Sequence, residues 1–238
     1  MSKIAITRSQ PQADETAARL KAMGAEPVVA PLLEIQFRDF DPDFADAQAI
    51  LLTSVNGVRA LQAIQQASAA APTALPILTV GDATAEAARA AGFANVRSAD
   101  GDGDALVALA RQTLTPSGGV LVHISGADLA TDVAAILAAQ GFKTERRIAY
   151  AAKPAAALPV GFSANPDAVL FHSARAADVF GSLGAPNAEQ MFAVCISART
   201  AERAKSASKR GWKGLIVAPY PREDALLEAA VRSTRASA

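Results

Sequence analysis

The sequence predicts an α/β protein of two similar α/β lobes, each with a parallel sheet, and a cleft between them. Three observations carry that expectation. Ala49 to Leu61, AILLTSVNGVRAL, opens as an apolar run, breaks into short turn-prone residues, and resumes with Val58, Leu61 and Ile64 at helical spacing. An unbroken apolar run suits a strand covered on both faces by helices. Ala168 to Phe180, AVLFHSARAADVF, repeats that grammar with Ser173 at the turn. Most broadly, residues 3–115 align with 120–235 at offsets between 116 and 120. Leu20 and Gly24 fall on Leu137 and Gly141, Ser54 on Ser173, Thr84-Ala85-Glu86 on Thr200-Ala201-Glu202, and Asp104-Ala105-Leu106 on Asp224-Ala225-Leu226. Two copies of a βαβ series imply two sheets, and matching loops imply a cleft lined by both sets.

Each element has its own signal. Lys3 to Thr7 is a short β-type run. The helix after it carries Ala13, Ala17 and Leu20 and closes at Gly24, as a C′ glycine would close it. Glu26 to Ala30 is the next strand. Residues 32 to 40, LLEIQFRDF, alternate like an exposed strand, and Asp41-Pro42-Asp43 marks a turn. An Ala- and Gln-rich helix then leads to a loose Ala70-Ala71-Pro72 connection. Pro76 to Val80 is a strand, followed by a helix that runs to Gly92. Asn95 to Ala99 is another strand, and a helix with Leu106, Leu109 and Leu114 ends the first copy.

The pattern restarts at Gly118-Gly119. Val120 to Ile124 is expected as a strand and Ser125-Gly126 as its loop, with a helical stripe of Leu129, Val133, Ile136 and Leu137 ending at Gly141. Lys143 to Ala149 is a strand with Tyr150 at its end. Pro154 to Pro166 reads as an irregular connection. Met191 to Ile196 and Leu215 to Ala218 are the last strands, with helices reaching Gly211 and closing the chain after Glu223-Asp224.

Composition narrows the class. At 238 residues there is room for two lobes with adequate cores. Half of the chain (51%) is hydrophobic and only 5% aromatic, so the cores are built of Ala, Leu, Val and Ile. Lys plus Arg equals Asp plus Glu at 23 each, which argues against a general nucleic-acid binder but not against a local basic cleft. The single cysteine, Cys195, excludes an internal disulfide and fits a reducing compartment. No apolar segment approaches the ~20 residues of a membrane span, and the start, MSKIAITRSQ, has no signal-peptide core. The expectation is a cytoplasmic protein.

Loops at the carboxyl ends of parallel strands are where open α/β sheets bind ligands. The hydroxyls of Thr53 and Ser54, with free N–H groups at the helix start, suit an anionic group; alternatively Ser54 or Asn56 merely caps the helix. His123 and His172 stand where a strand meets its loop and read as satisfied strand-end residues rather than catalysts. Asp100-Gly-Asp-Gly-Asp104 lacks the downstream Glu of a calcium loop and reads as a turn in which Asp102 or Asp104 caps the next helix. No zinc spacing and no P-loop occurs, and neither a metal nor a cofactor is expected.

Val-Gly-x-x-Thr-Ala at 80–85, Thr-Ser-x-x-Gly at 53–57, the strand bearing Tyr150, and Ala218-x-x-Pro221 before an Asp-Ala-Leu-Leu helix resemble the uroporphyrinogen-III synthase family. The likeness covers nearly the whole chain. It implies a first lobe of residues 1–33 and 152–238, an inserted second lobe of 39–147, and a two-stranded linker at 34–38 and 148–151. It also implies a monomer whose substrate is hydroxymethylbilane, a carboxylate-rich linear tetrapyrrole. The ring closure loses a hydroxyl to form an azafulvene and inverts the last pyrrole through a spiro intermediate, without a metal or organic cofactor.

Site residues follow from the same resemblance. Ser54, Ser173 and Thr200 match hydroxyls at loop–helix junctions, Gly81 a glycine that admits a carboxylate to the backbone, and Arg8 an arginine after the first strand. Tyr150 matches a tyrosine proposed to assist hydroxyl departure. Asn56, Thr84, Ser125, Arg175 and Ser197 complete the expected substrate-binding set. Two positions depart from the family pattern: Ser197-Ala198 replaces a Gly-Pro, and Ser125-Gly126 an Arg-Gly. Arg175 and Arg199 stand where they can compensate for the lost guanidinium. The rival expectation is a non-catalytic two-lobed protein that binds or senses a small, tetrapyrrole-like anion.

Overall fold

A computed structural model describes residues 1–67 and 74–235; the Ala70-Ala71-Pro72 connection lies outside them. The chain divides into two compact units, Met1–Glu34 with Lys153–Ala238, and Ile35–Ala152.

In the first unit, β1 (Lys3–Ile6), α1 (Gln12–Ala22) and β2 (Glu26–Val29) form a βαβ unit. To it the far end of the chain adds a strand at Ala168–Phe171, helices at Ala174–Ser182 and Ala198–Ala207, strands at Phe192–Cys195 and Gly214–Val217, and the helix Glu223–Arg235. Between these two groups, the second unit holds β3 (Leu33–Phe37, which begins at the boundary), β4 (Ala47–Leu52), α2 (Val55–Ala67), β5 (Ile77–Thr79), α3 (Asp82–Ala90), β6 (Val96–Ser98), α4 (Gly103–Thr113), β7 (Val120–Gly126), α5 (Val133–Ala138) and β8 (Lys143–Pro154, which ends in the first unit). The later elements of the first unit are therefore β9, α6, β10, α7, β11 and α8 in chain order.

Both sheets have one topology. The first runs β2-β1-β9-β10-β11 and the second β3-β8-β7-β4-β5-β6. Apart from the added β3, each places its second βαβ strand outermost, then the first, then the remaining three, which is a doubly wound order. The registers of both cores are parallel. The aligned halves of the sequence have thus exchanged parts. The half at 3–115 gives β1-α1-β2 to the first unit and β4 through α4 to the second, while 120–235 does the reverse. The strand order reverses between β1 and β9 in one unit and between β7 and β4 in the other, the positions at which such sheets bind ligands.

Helices cover both faces of each sheet, so its central strands are largely apolar, with His123 and Ser125 of β7 as buried polar exceptions. Ala5, Val169, Phe171, Ala193 and Cys195 pack under α6 and α7, where Trp212 stacks on Phe180 and donates its Nε1 proton to Ala204 O at 2.7 Å. Ile4, Ile6, Leu170 and Val194 pack under α1 and α8. In the second unit Ile50, Leu52, Val122 and Ile124 meet α2, while Leu51, Leu78 and Leu121 meet α4 and α5.

Several element boundaries differ from expectation, among them the end of α7 at Ala207, short of Gly211. Helix α5 begins at Val133, not at Leu129, because the Asp132 carboxylate accepts from Ala135 N at 3.1 Å and caps it there. Strand β7 continues through Ser125 and Gly126, which pair with β8 instead of forming a loop. Strand β8 runs on to Pro154, so Tyr150 lies within a strand and not at its end.

Candidate functional site

At the carboxyl ends of β1 and β9 a charged group assembles from both chain ends. Arg8, just after β1, places Nη1 2.8 Å from Glu223 Oε1 at the start of α8, and Arg19 places Nη1 3.0 Å from Oε2. The Thr16 hydroxyl donates to the same carboxylate. Burial pushes the Glu223 carboxyl up, but His172, Thr16 and the Arg8 charge outweigh it and bring it down to about 2. His172 Nε2 faces Glu223 Oε1 at 3.5 Å, close enough to favour the carboxylate but too long for a hydrogen bond, and both ring nitrogens are buried without a hydrogen-bond partner. Burial lowers its pKa, which keeps the ring neutral. The expectation of satisfied strand-end histidines is corrected here: His172 is not satisfied.

The loop–helix hydroxyls of this unit are capping groups. Ser173 Oγ accepts from Ala176 N at 3.2 Å, and Ser197 Oγ accepts from Thr200 N at 3.3 Å and lies 3.1 Å from the Thr200 hydroxyl. Thr200 is buried. Arg175 sits, partly buried, in the first turn of α6, and Arg199 in the first turn of α7; Arg199 is exposed and has no partner among the described residues.

In the second unit Ser54 accepts from Asn56 N at 3.2 Å at the start of α2, and Asn56 Oδ1 is buried and unpaired. Gly81 precedes α3 in an extended conformation (φ −156°) that any residue can adopt, and a Cβ there would meet only Gly101 O, at 3.9 Å. Neither backbone strain nor crowding from the described residues requires a glycine. Thr84, one turn in, is buried. Asp102 caps α4, accepting from Asp104 N at 3.0 Å and Ala105 N at 3.1 Å, as expected of this acidic turn.

Ser125 and His123 are fully buried. The Ser125 hydroxyl donates to Gly126 O at 3.1 Å and accepts from Arg146 Nε at 2.9 Å, so it does not present itself to a ligand. His123 stands within β7 rather than at its end. Its Nε2 lies 3.4 Å from the Thr53 hydroxyl and its Nδ1 has no partner. Burial, reinforced by the Arg146 charge, pushes its pKa down to about 4, against a smaller pull from Asp132. The ring of Tyr150, in β8, lies over the Gly126 backbone: a Cβ on Gly126 would sit 2.7 Å from Tyr150 Cε2. The phenol makes no hydrogen bond among the described residues and is partly exposed. Glu223 and Arg146 escape sequence reading because their partners are 215 and 21 residues away.

These loops offer hydroxyls, helix-start N–H groups and guanidinium groups, a chemistry fit for carboxylates. Among the described residues no cluster of three His, Cys, Asp or Glu side chains could hold a metal ion.

A family model described as Uroporphyrinogen-III synthase HemD matches residues 14–228. A comparison with curated protein sequences finds no match. Among solved structures, a uroporphyrinogen-III synthetase from Helicobacter pylori 26695 is similar with a TM-score of 0.71 at 17% identity, covering 98% of this chain and 100% of that one. A mutant uroporphyrinogen III synthase from the extremely thermophilic bacterium Thermus thermophilus is similar with a TM-score of 0.56 at 18% identity, covering 100% of both. At such identities the likeness is one of fold.

Proposed function

The chain belongs to the uroporphyrinogen-III synthase family, and from that membership we infer the reaction: hydroxymethylbilane is cyclised to uroporphyrinogen III, with inversion of the last pyrrole ring and loss of water. The observation that carries this is the extent of the family match, which runs through the loops after β4, β5, β9 and β10 in both units. Dehydration and ring closure leave the oxidation level unchanged, so the balance calls for no redox cofactor.

Ser54, Asn56, Gly81 and Thr84 of one unit, and Ser173, Arg175, Ser197 and Thr200 of the other, form our substrate-binding set. In this reading the first turns of α2, α3, α6 and α7 present N–H groups to carboxylates, and the Ser54, Ser173 and Ser197 hydroxyls hold the turns of α2, α6 and α7 in place. The glycine at 81, which its own surroundings do not demand, supports it: the open space is where a carboxylate approaches the backbone. Arg8 and Ser125 act one step back, since each is already engaged within its unit. Tyr150 keeps its phenol unengaged and serves as the acid that assists departure of the hydroxyl. We further read the enzyme as a cytoplasmic monomer; the single buried Cys195 fits a reducing compartment. No helix among the described residues is long and apolar enough to cross a membrane.

The test is incubation with freshly made hydroxymethylbilane, followed by oxidation and chromatography of the porphyrins. The type III isomer supports the reading. Only type I, the product of unassisted closure, overturns it in favour of a binding or sensor protein.

A further inference from the structure

We propose that Arg146, a residue of strand β8, supplies the guanidinium that meets a substrate carboxylate at the switch point of the second unit. The inference rests on the reaction given above and adds a residue to its site.

The aligned halves of the chain put Arg8 opposite Ser125. One switch point therefore has an arginine just after its first strand, and the other has a serine at the matching position, within the end of β7. The structure places a guanidinium at the second position all the same, from the neighbouring strand. Arg146 is paired in register with His123, two residues before Ser125. Its Nε donates to Ser125 Oγ at 2.9 Å, and its Nη2 donates to Gly126 O and to Ala127 O, both at 2.8 Å. Three hydrogen bonds thus fix the plane of the group. They leave Nη1 without a partner among the described residues.

Charge separates Arg146 from the other ordered arginines of these sheets. Arg8 is paired with Glu223 and Arg147 with Glu145 at 2.8 Å. Arg146 is partly buried and has no carboxylate within ion-pair distance among the described residues. The other polar groups on its face do not neutralise it. His123 is held neutral, Thr53 and Ser125 are uncharged, and Asp132 is near enough to act on His123 but not to pair with Arg146. A preordered cation that is partly removed from water and lacks a counter-ion gains most when an anion arrives. At the carboxyl end of β7, the arriving anion is a carboxylate of the tetrapyrrole.

Steady-state kinetics of Arg146→Gln, Arg146→Lys, Ser125→Ala and the exposed control Arg111→Gln test this across a series of ionic strengths. For Arg146→Gln a KM rise of about ten- to a hundredfold is expected, the range for losing a charge-assisted contact, with kcat nearly unchanged and a shallower dependence of KM on salt. Arg146→Lys keeps the salt dependence at an intermediate KM. Ser125→Ala raises KM less, and Arg111→Gln behaves as wild type. A normal KM in Arg146→Gln overturns the proposal. So does a Lys variant as salt-insensitive as the Gln variant, because the side chain would then be a tether for the strand end only. Failure of the underlying reaction is read separately, in the wild-type product: a protein giving only the type I isomer sinks both.

Discussion

Arg8 and Glu223 come from opposite ends of the chain and meet at 2.8 Å. The pair joins the end of β1 to the start of α8, and Arg19 and Thr16 of α1 close on the same carboxylate. One acidic side chain therefore ties three elements around the switch point of the first unit.

That tie has a pH signature. The Glu223 carboxyl falls from an ordinary 4.5 to about 2 on folding, so folding favours its ionised form. Its contribution is fully present above pH 4.5 and is lost as the pH falls towards 2. A shift of this size is worth about 3 kcal/mol at most. Glu223→Gln is expected to be less stable than wild type at pH 7 by up to that amount, with the gap narrowing as acid protonates the wild-type carboxyl. Urea unfolding of both proteins at pH 7 and near pH 3 measures the gap. A gap that stays constant would mean that the carboxyl contributes nothing through its charge.

Cys195 gives a probe of unfolding. It is fully buried at the end of β10, and burial pushes its thiol up to about 12 from an ordinary 9.0. On thiolate fraction alone its alkylation should slow by roughly a thousandfold, before lost access is counted. The native protein is expected to resist iodoacetamide at pH 8 and to react fully in denaturant. Rapid labelling without denaturant would show that the β10 end opens readily.

The strands and helices were legible in the sequence because each depends on local signals, whereas the exchange of parts between the two halves leaves no local mark. Apolar runs such as Ala49-Ile50-Leu51-Leu52 become strands buried on both faces, and Gly24 and Gly141 adopt the positive φ that ends a helix. The caps at Ser173 and Asp102 are equally local. The end of β8 was not legible, because Ala151 and Ala152 carry no pattern that tells a continuing strand from a linker. The charged contacts of the site were illegible for another reason. Glu223 with Arg8, and Arg146 with Ser125, are fixed by strand order, which no spacing in the sequence records.

Two glycines of the second unit, Gly119 before β7 and Gly141 between α5 and β8, should respond differently to alanine. Gly119 has φ +126°, and a Cβ there would lie 2.7 Å from the backbone oxygen of Asp46, which cannot swing away. Gly141 has φ +90° but nothing within 4 Å. Gly141→Ala should cost about 1 kcal/mol from backbone conformation alone, and Gly119→Ala clearly more, about 3 kcal/mol with strain and clash together. Equal midpoints in urea for the two variants would contradict this order.

Tyr150 and Gly126 carry the last prediction. The residues pair in register across β7 and β8, and the phenol ring packs where a Cβ on Gly126 would stand, 2.7 Å from Cε2 and 3.0 Å from Cζ. If the phenol donates a proton to the leaving hydroxyl, Tyr150→Phe removes the donor and leaves the ring packing intact. The pyrrole nitrogen already pushes the hydroxyl out, so the acid supplies only about 10²-fold at most, the low end for such catalysis. Tyr150→Phe is expected to fold normally, to keep the type III product, and to lose about ten- to a hundredfold in kcat, within that bound. Gly126→Ala keeps the phenol but forces the ring to move, and its kcat should fall by a similar factor with KM little changed. Because both changes remove one function, the double variant should be no slower than the worse single variant. A double variant whose losses multiply would separate the two residues and return Tyr150 to a packing role, as would wild-type kcat in Tyr150→Phe.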